Sequence, residues 1–353
     1  MEVAFTDTEP TEWGKSLRTI TGKTNHGKFN LGKQPVFSSH RSGWGYAIDS
    51  LLPLHNPYGI KFDGFLEDSF AWMYEWHKNT KTGVIPYTEP WVGFFHNPPN
   101  SPDWFFGHNS LDKIIKRPLF KKSLKKCLGL YTLSTTLAEY LRSKTKVPVN
   151  VVYHPTEIPE TLFDFETYLS QKTKNVVCIG YWLRKLNSIY QLPLHSFSGF
   201  NKIRLIPYTA ERPKETIDKL VEAERGEYDI CVPDAYANNT HDMERLSDSE
   251  YDSLLSKSII FLDLYDSSAN NAVVECIARG TPIVINRIPS SEEYLGKDYP
   301  LFFNDLDHAK ELIRDESRIL EAHNYLLESP MRKKLTKEYF CNSIINSDIY
   351  KSL

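Results

Sequence analysis

Short runs of apolar, β-branched and aromatic residues recur from Pro35 onward, separated by stretches with helical spacing. The runs 35–39, 60–65, 91–95, 128–132 and 150–153 read as strands, with helices expected at 45–52, 68–77, 110–126 and 134–144. Strands resume at 175–179, 203–206, 228–231, 259–264, 282–286 and 301–303, and 306–350 reads as helical with a break near Pro330. Strands alternating with helices imply mainly parallel sheets covered on both faces. The pattern predicts an α/β fold of two Rossmann-like, doubly wound domains facing an interdomain cleft. The N-terminal domain is placed at 35–155, a linker at 156–173 and the C-terminal domain at 174–330. Residues 1–34, polar and without clear periodicity, are expected to be an irregular arm. Residues 331–353 are expected to form a helix packing back toward the N-terminal domain.

Composition narrows the function classes. A chain of 353 residues is too long for one ordinary core and suits two α/β domains. The formal charge of −3 gives no reason to expect nucleic-acid binding. One basic stretch stands apart, with Lys113, Lys116, Arg117, Lys121, Lys122, Lys125 and Lys126. It reads as the solvated face of a helix or, alternatively, as a surface meeting anionic lipid headgroups or an anionic glycan. Five widely spaced cysteines without a CxxC pair argue against a structural zinc site. With no basic, apolar leader and no run near the ~20 apolar residues that span a bilayer, the expectation is a soluble, cytoplasmic protein, peripheral to a membrane at most.

The segment 258–286 carries the strongest local argument. An apolar strand leads through the turn 265–271 into the helix-forming Ala-Val-Val-Glu-Cys-Ile-Ala-Arg, stopped by Gly280 and Pro282, and a second strand follows. Ser268 or Asn270 can cap this helix, whose free N–H groups would face an anion such as a diphosphate. Glu275 is surrounded on all sides by apolar neighbours, so its carboxylate is expected to be buried and to need partners. Ribose hydroxyls would supply them; so would Arg279, one turn on.

The run Asn-Asn-Ala-Val-Val-Glu-Cys-Ile-Ala-Arg-Gly-Thr-Pro-Ile-Val-Ile-Asn, followed by Glu-Tyr-Leu-Gly at 293–296, resembles the donor-binding segment of GT-B glycosyltransferases, especially the family-four group. Segments 127–141 and 147–155 are similar to that family's last N-domain strand, helix and linker, with His154-Pro155 where the family usually has Asn-Gly. The resemblance covers about two thirds of the chain and implies a nucleotide-sugar donor held by the C-terminal domain and a glycan or glycoconjugate acceptor on the N-terminal one. It implies ribose binding by Glu275 and a diphosphate lined by Ser268, Asn270 and Asn271. Retaining members carry a second Glu upstream, separated from this one by seven residues; here Ser267 stands there, which leaves the stereochemical outcome open.

Arg184 and Lys185, just after the first strand of the C-terminal domain, stand where related transferases place an Arg and a Lys for the diphosphate; exposed loop charge is the alternative. Among the candidates for acceptor activation or sugar orientation, His40 lies in an acceptor-side loop with Arg41, Gly43 and Trp44. His96 resembles the family's sugar-contacting histidine, and Glu67 and Asp68 form an acid pair that also suits a helix start. Asp263 and Asp266 do not form the Asp-x-Asp of cation-dependent sugar transfer, so no metal and no other cofactor is expected. The reading is metal-independent sugar transfer to a hydroxyl. A non-catalytic nucleotide-sugar or glycan binder and a nucleotide-sugar epimerase are the alternatives.

Overall fold

A computed structural model describes residues 4–7, 16–22, 24, 27–36, 43–80, 83–195, 197–206 and 213–353. The chain divides into two units, one comprising Met1–Thr156 and Lys334–Leu353, the other Glu157–Lys333.

The first unit contains β1 (Ala4–Asp7), β2 (Ser16–Thr21), β3 (Phe29–Asn30), β4 (Lys33–Val36), β5 (Ile60–Asp63), β6 (Trp91–Phe95), β7 (Cys127–Thr132) and β8 (Val149–Val151). A five-stranded parallel sheet runs in the order β3-β5-β6-β7-β8. All five residues of β6 are buried, as a central strand covered on both faces requires. The expected irregular arm at 1–34 is corrected: β1, β2 and β4 form an antiparallel three-stranded sheet. Its strands are short and polar, so no apolar alternation announces them. β4 joins that sheet rather than opening the parallel one. The expected helix at 110–126 is two, Leu111–Lys116 and Pro118–Leu124, because Pro118 cannot continue the first and instead starts the second.

The expected single C-terminal helix is three short ones, Pro330–Lys334, Lys337–Ile345 and Asp348–Ser352, and the chain from Lys334 belongs to the first unit. Its last helix lies on β7 at Gly129, where a Cβ would come within 2.6 Å of Ile349. Tyr131 Oη and Ser347 Oγ are hydrogen-bonded at 3.0 Å.

The second unit is a six-stranded parallel sheet built from β9 (Lys174–Ile179), β10 (Phe200–Leu205), β11 (Thr240–Met243), β12 (Ile259–Leu262), β13 (Ile283–Asn286) and β14 (Phe302–Phe303). Their order is β11-β10-β9-β12-β13-β14. This is the doubly wound order, and connectivity reverses between β9 and β12, where such sheets leave a crevice beyond the strand C-termini. The expected linker 156–173 is part of this unit from Glu157 onward. It contains the helix Phe165–Ser170, and Phe163 N and Asp164 N donate to the carbonyls of Arg279 and Ser256 at 3.0 and 2.8 Å.

The expected strand at 228–231 is also corrected. Tyr228 ends the helix Lys214–Tyr228, and Asp229 terminates it in the left-handed region at φ 50°. Ile217, Val221 and Glu224, at helical spacing, are the buried residues of that helix. No helix among the described residues is long and apolar enough to cross a membrane.

Candidate functional site

The loops after β9 and β12 meet at the strand-order reversal. Gly180, at φ +76°, turns the chain out of β9. Arg184 then pairs with Leu264 as an antiparallel bridge, and Lys185 N donates to Asp263 O at 2.7 Å. The Arg184 guanidinium donates to the carbonyls of Ile179 at 3.0 Å and Trp182 at 2.6 Å, and to Asn270 Oδ1 at 3.2 Å. Burial lowers its pKa without removing its charge. Lys185 Nζ lies 2.8 Å from Asp263 Oδ1, while Ser188 Oγ donates to Asp263 Oδ2 at 2.8 Å. Both cations therefore tie the two loops together, a role the sequence does not disclose.

Asn270 is the cap residue of the helix Asn271–Arg279: its Oδ1 accepts from Ala272 N at 3.1 Å and serves Arg184 as well. Gly280 ends the helix at φ 69°. Asn286, at the end of β13, clasps Leu264 through Oδ1 to its N–H and Nδ2 to its carbonyl, both at 2.8 Å. A recess at the helix start is lined by Leu264, Ser267, Ser268, Asn270, Val273, Ser290, Ser291 and Tyr294. Ser268 is buried and Asn271 is the helix's first residue, so Ser268, Asn270 and Asn271 gather here with Arg184 nearby.

Glu275 is 1% exposed and accepts a hydrogen bond from Tyr251 Oη at 2.5 Å. Arg279 Nη1 lies 3.8 Å away, and Arg279, itself 1% exposed, donates through Nη2 to Asp252 at 2.7 Å. The Tyr251 hydroxyl is pushed well above its usual pKa by burial and by the Glu275 charge. Tyr251, Glu275, Arg279 and Asp252 thus form an internal cluster within the second unit. Tyr251 and Asp252, 24 and 23 residues upstream of Glu275, carry no sequence signal of this pairing.

The first unit gathers a different set. Glu67 is wholly buried, and its Oε1 accepts from His96 N at 2.7 Å and Asn97 N at 2.6 Å. Burial raises its pKa to about 7, outweighing those two hydrogen bonds. His96 Nε2 contacts Gly64 O at 2.9 Å, and its ring stacks on Phe65 at 4.0 Å and meets the Trp44 edge at 4.2 Å. Burial lowers its pKa to about 3, so this imidazole is neutral at physiological pH. Asp68 opens the helical turn Asp68–Trp72. Gly43 precedes the helix Trp44–Ser50, whose Trp44 is 3% exposed and packed in the core. His40 and Arg41 lie outside the described residues. The structure thus brings Glu67, His96 and Trp44 together.

The basic stretch lies on the two helices at 111–124 and the turn after them; Lys113 pairs with Asp103 at 2.8 Å and Lys116 with Asp112, while Lys121, Lys122, Lys125 and Lys126 are exposed. Among the described residues, no group of three or more His, Cys, Asp or Glu side chains is placed to hold a metal ion.

No family model matches the chain, and no curated protein matches it either. Solved structures do. Trehalose-6-phosphate synthase OtsA is similar over 88% of this chain and 76% of its own, with TM-score 0.55 and 15% identity. The Escherichia coli trehalose-6-phosphate protein bound with UDP-2-fluoro glucose gives TM-score 0.54 at 15% identity, covering 87% of this chain and 77% of that one. A UDP-forming α,α-trehalose-phosphate synthase from Burkholderia vietnamiensis gives 0.52 at 14% identity, covering 88% and 78%. The likeness shows the fold: two Rossmann-like α/β units of the GT-B kind.

Proposed function

We propose that this protein is a glycosyltransferase that moves a hexosyl or pentosyl group from a nucleotide diphosphate sugar to a hydroxyl of a glycan or other acceptor, without a metal. One observation carries the reading: at the strand-order reversal of the second unit, the loops after β9 and β12 are locked to each other around the start of a buried helix. That arrangement places the positive end of a helix where a doubly wound sheet binds its ligand. The diphosphate would sit there, against Ser268, Asn270 and Asn271. As the glycosidic bond breaks, charge grows on the leaving diphosphate, and donors already fixed in place stabilise it without reorganising. Arg184 contributes by holding Asn270, and Lys185 by holding Asp263 and so the loop that precedes the helix.

Glu275 would reach ribose hydroxyls in exchange for its Tyr251 bond. On the acceptor side, the proposed group is Glu67 with His96, His40, Asp68 and the loop residues Arg41, Gly43 and Trp44. With a pKa near 7, Glu67 can hold or release a proton at neutral pH, as a group that takes a hydroxyl's proton must. One of the similar structures holds UDP-2-fluoro glucose, so UDP and UDP-glucose head the ligands to test.

The internal bond from Tyr251 to Glu275 favours a second reading, a non-catalytic nucleotide-sugar or glycan binder. Incubation with a nucleotide sugar, with and without candidate acceptors, separates the two: released nucleotide diphosphate and a glycosylated product support transfer. Tight binding with no turnover of any donor would remove the enzyme from the account.

A further inference from the structure

The recess at the start of the helix Asn271–Arg279 contains a polar group that none of the roles above uses. Ser290 is 3% exposed, lines the recess, and its Oγ has no hydrogen-bond partner. Its neighbour Ser291 is engaged: its single hydroxyl proton has the carbonyls of Asn286 and Ile288 within reach at 3.1 and 2.9 Å, and its Oγ accepts from Ile288 N at 3.0 Å. A buried hydroxyl left without a partner is costly, and such a group calls for an acceptor that a water, an ion or a ligand can supply.

The chemistry of the walls says which ligand. Among the described residues, no side chain lining the recess is charged. The two cations nearby are not among its lining residues and have internal partners, Arg184 two carbonyls and Asn270, Lys185 Asp263. A ligand entering here meets hydroxyls and the positive end of a nine-residue helix. Neutral donors at a helix N-terminus suit a small oxyanion, which accepts hydrogen bonds on every side.

We propose that Ser290 donates a hydrogen bond directly to a phosphate group seated in this recess, and that the seat is built from neutral donors rather than free cations. The inference rests on the donor reading in taking that phosphate to be part of a nucleotide diphosphate. It adds a binding residue from the helix Pro289–Leu295 after β13, outside the turn 265–271 that precedes the donor helix.

The test is calorimetric titration of pyrophosphate and of UDP into the full-length wild-type protein, Ser290→Ala and Ser290→Thr. Ser290→Ala is expected to weaken pyrophosphate about tenfold, the loss of one hydrogen bond to a charged group, while Ser290→Thr retains binding within about threefold. Without ligand, the melting temperature of Ser290→Ala should equal or exceed that of wild type, because a costly unpaired hydroxyl has been removed; a purely structural serine would lower it. Unchanged pyrophosphate affinity in Ser290→Ala overturns the inference and, with UDP still bound, leaves the donor reading standing. Ser290-dependent pyrophosphate binding with no nucleotide bound keeps the seat and removes the donor reading. Failure of the folded wild-type protein to bind either ligand overturns both.

Discussion

Removing the Glu275 carboxylate should destabilise the second unit before any ligand is added. Glu275→Ala takes the acceptor from Tyr251 Oη, a 2.5 Å bond to a charged group. A hydrogen bond of that kind is worth about 1.5–3 kcal/mol. It also deprives the buried Arg279 of one of its two carboxylates, the nearer one at Asp252 remaining at 2.7 Å. Breaking a buried ion pair by removing one partner costs about 3–5 kcal/mol, and the surviving Asp252 contact places this case at the low end, about 3 kcal/mol in all. Tyr251→Phe, which removes only the hydrogen bond, should cost about 1.5 kcal/mol. A two-unit chain need not unfold in one step, so the assay is hydrogen exchange read on peptides of β12 and β13. Protection limited by opening of this unit should fall about 100-fold in Glu275→Ala and about tenfold in Tyr251→Phe. A loss below about threefold in Glu275→Ala would refute the stabilising role of this cluster and leave the carboxylate free for ribose. The same numbers bear on binding assays: lost nucleotide binding in Glu275→Ala mixes a ligand contact with a weakened unit, whereas Tyr251→Phe frees the carboxylate and should bind nucleotide at least as well as wild type.

Glu67 and His96 predict a pair of opposed pH effects in the first unit. With its pKa raised from 4.5 to about 7, Glu67 contributes stability that is present below 4.5 and lost as pH rises through 7. With its pKa lowered from 6.5 to about 3, His96 contributes stability that is present above 6.5 and lost as pH falls toward 3. Relative to wild type, Glu67→Gln should lose stability as pH drops from 6.5 to 4.5 and His96→Gln should gain it, each by at most about 1.4 kcal/mol per pH unit, in denaturant titrations at several pH values. Parallel pH profiles in all three proteins would contradict both assignments. At the end of the helix Asn271–Arg279, Gly280→Ala forces a Cβ to 2.8 Å from Leu327 Cδ2 and 3.0 Å from His323 Nδ1 at φ +69°. It should cost about 2 kcal/mol, seen as a lower melting temperature, and an unchanged one would show that the helix end repacks freely.

The parallel strands were legible because strands buried on both faces read as unbroken apolar runs, as at 91–95 and 259–262. The apolar edge strands β8 and β14 were legible too, but the polar edge strand β11 and the antiparallel strands were not. β11, Thr-His-Asp-Met, is polar and largely exposed, and β1, β2 and β4 sit in a polar stretch whose pairing is set by distant partners. The strand expected at 228–231 failed because Tyr228 and Ile230 alternate with polar residues while the preceding helix extends through Tyr228. At the site, the burial of Glu275 could be read from its wholly apolar neighbours, and the end of its helix from Gly280. Its partner could not, since Tyr251 approaches through tertiary packing from another helix. Nor could the engagement of Arg184 and Lys185, because Asn270 and Asp263 lie 86 and 78 residues further along the chain. Spacing reports which residues share an element; it does not report which loops the sheet brings face to face.

The most direct test of the central claim is calorimetric titration of the full-length protein with UDP, GDP, ADP, CMP and dTDP and their common sugar conjugates. The account predicts saturable binding of one nucleoside diphosphate and its sugar, retained in Tyr251→Phe and weakened in Ser290→Ala. A folded protein that binds none of them would contradict the proposed donor site.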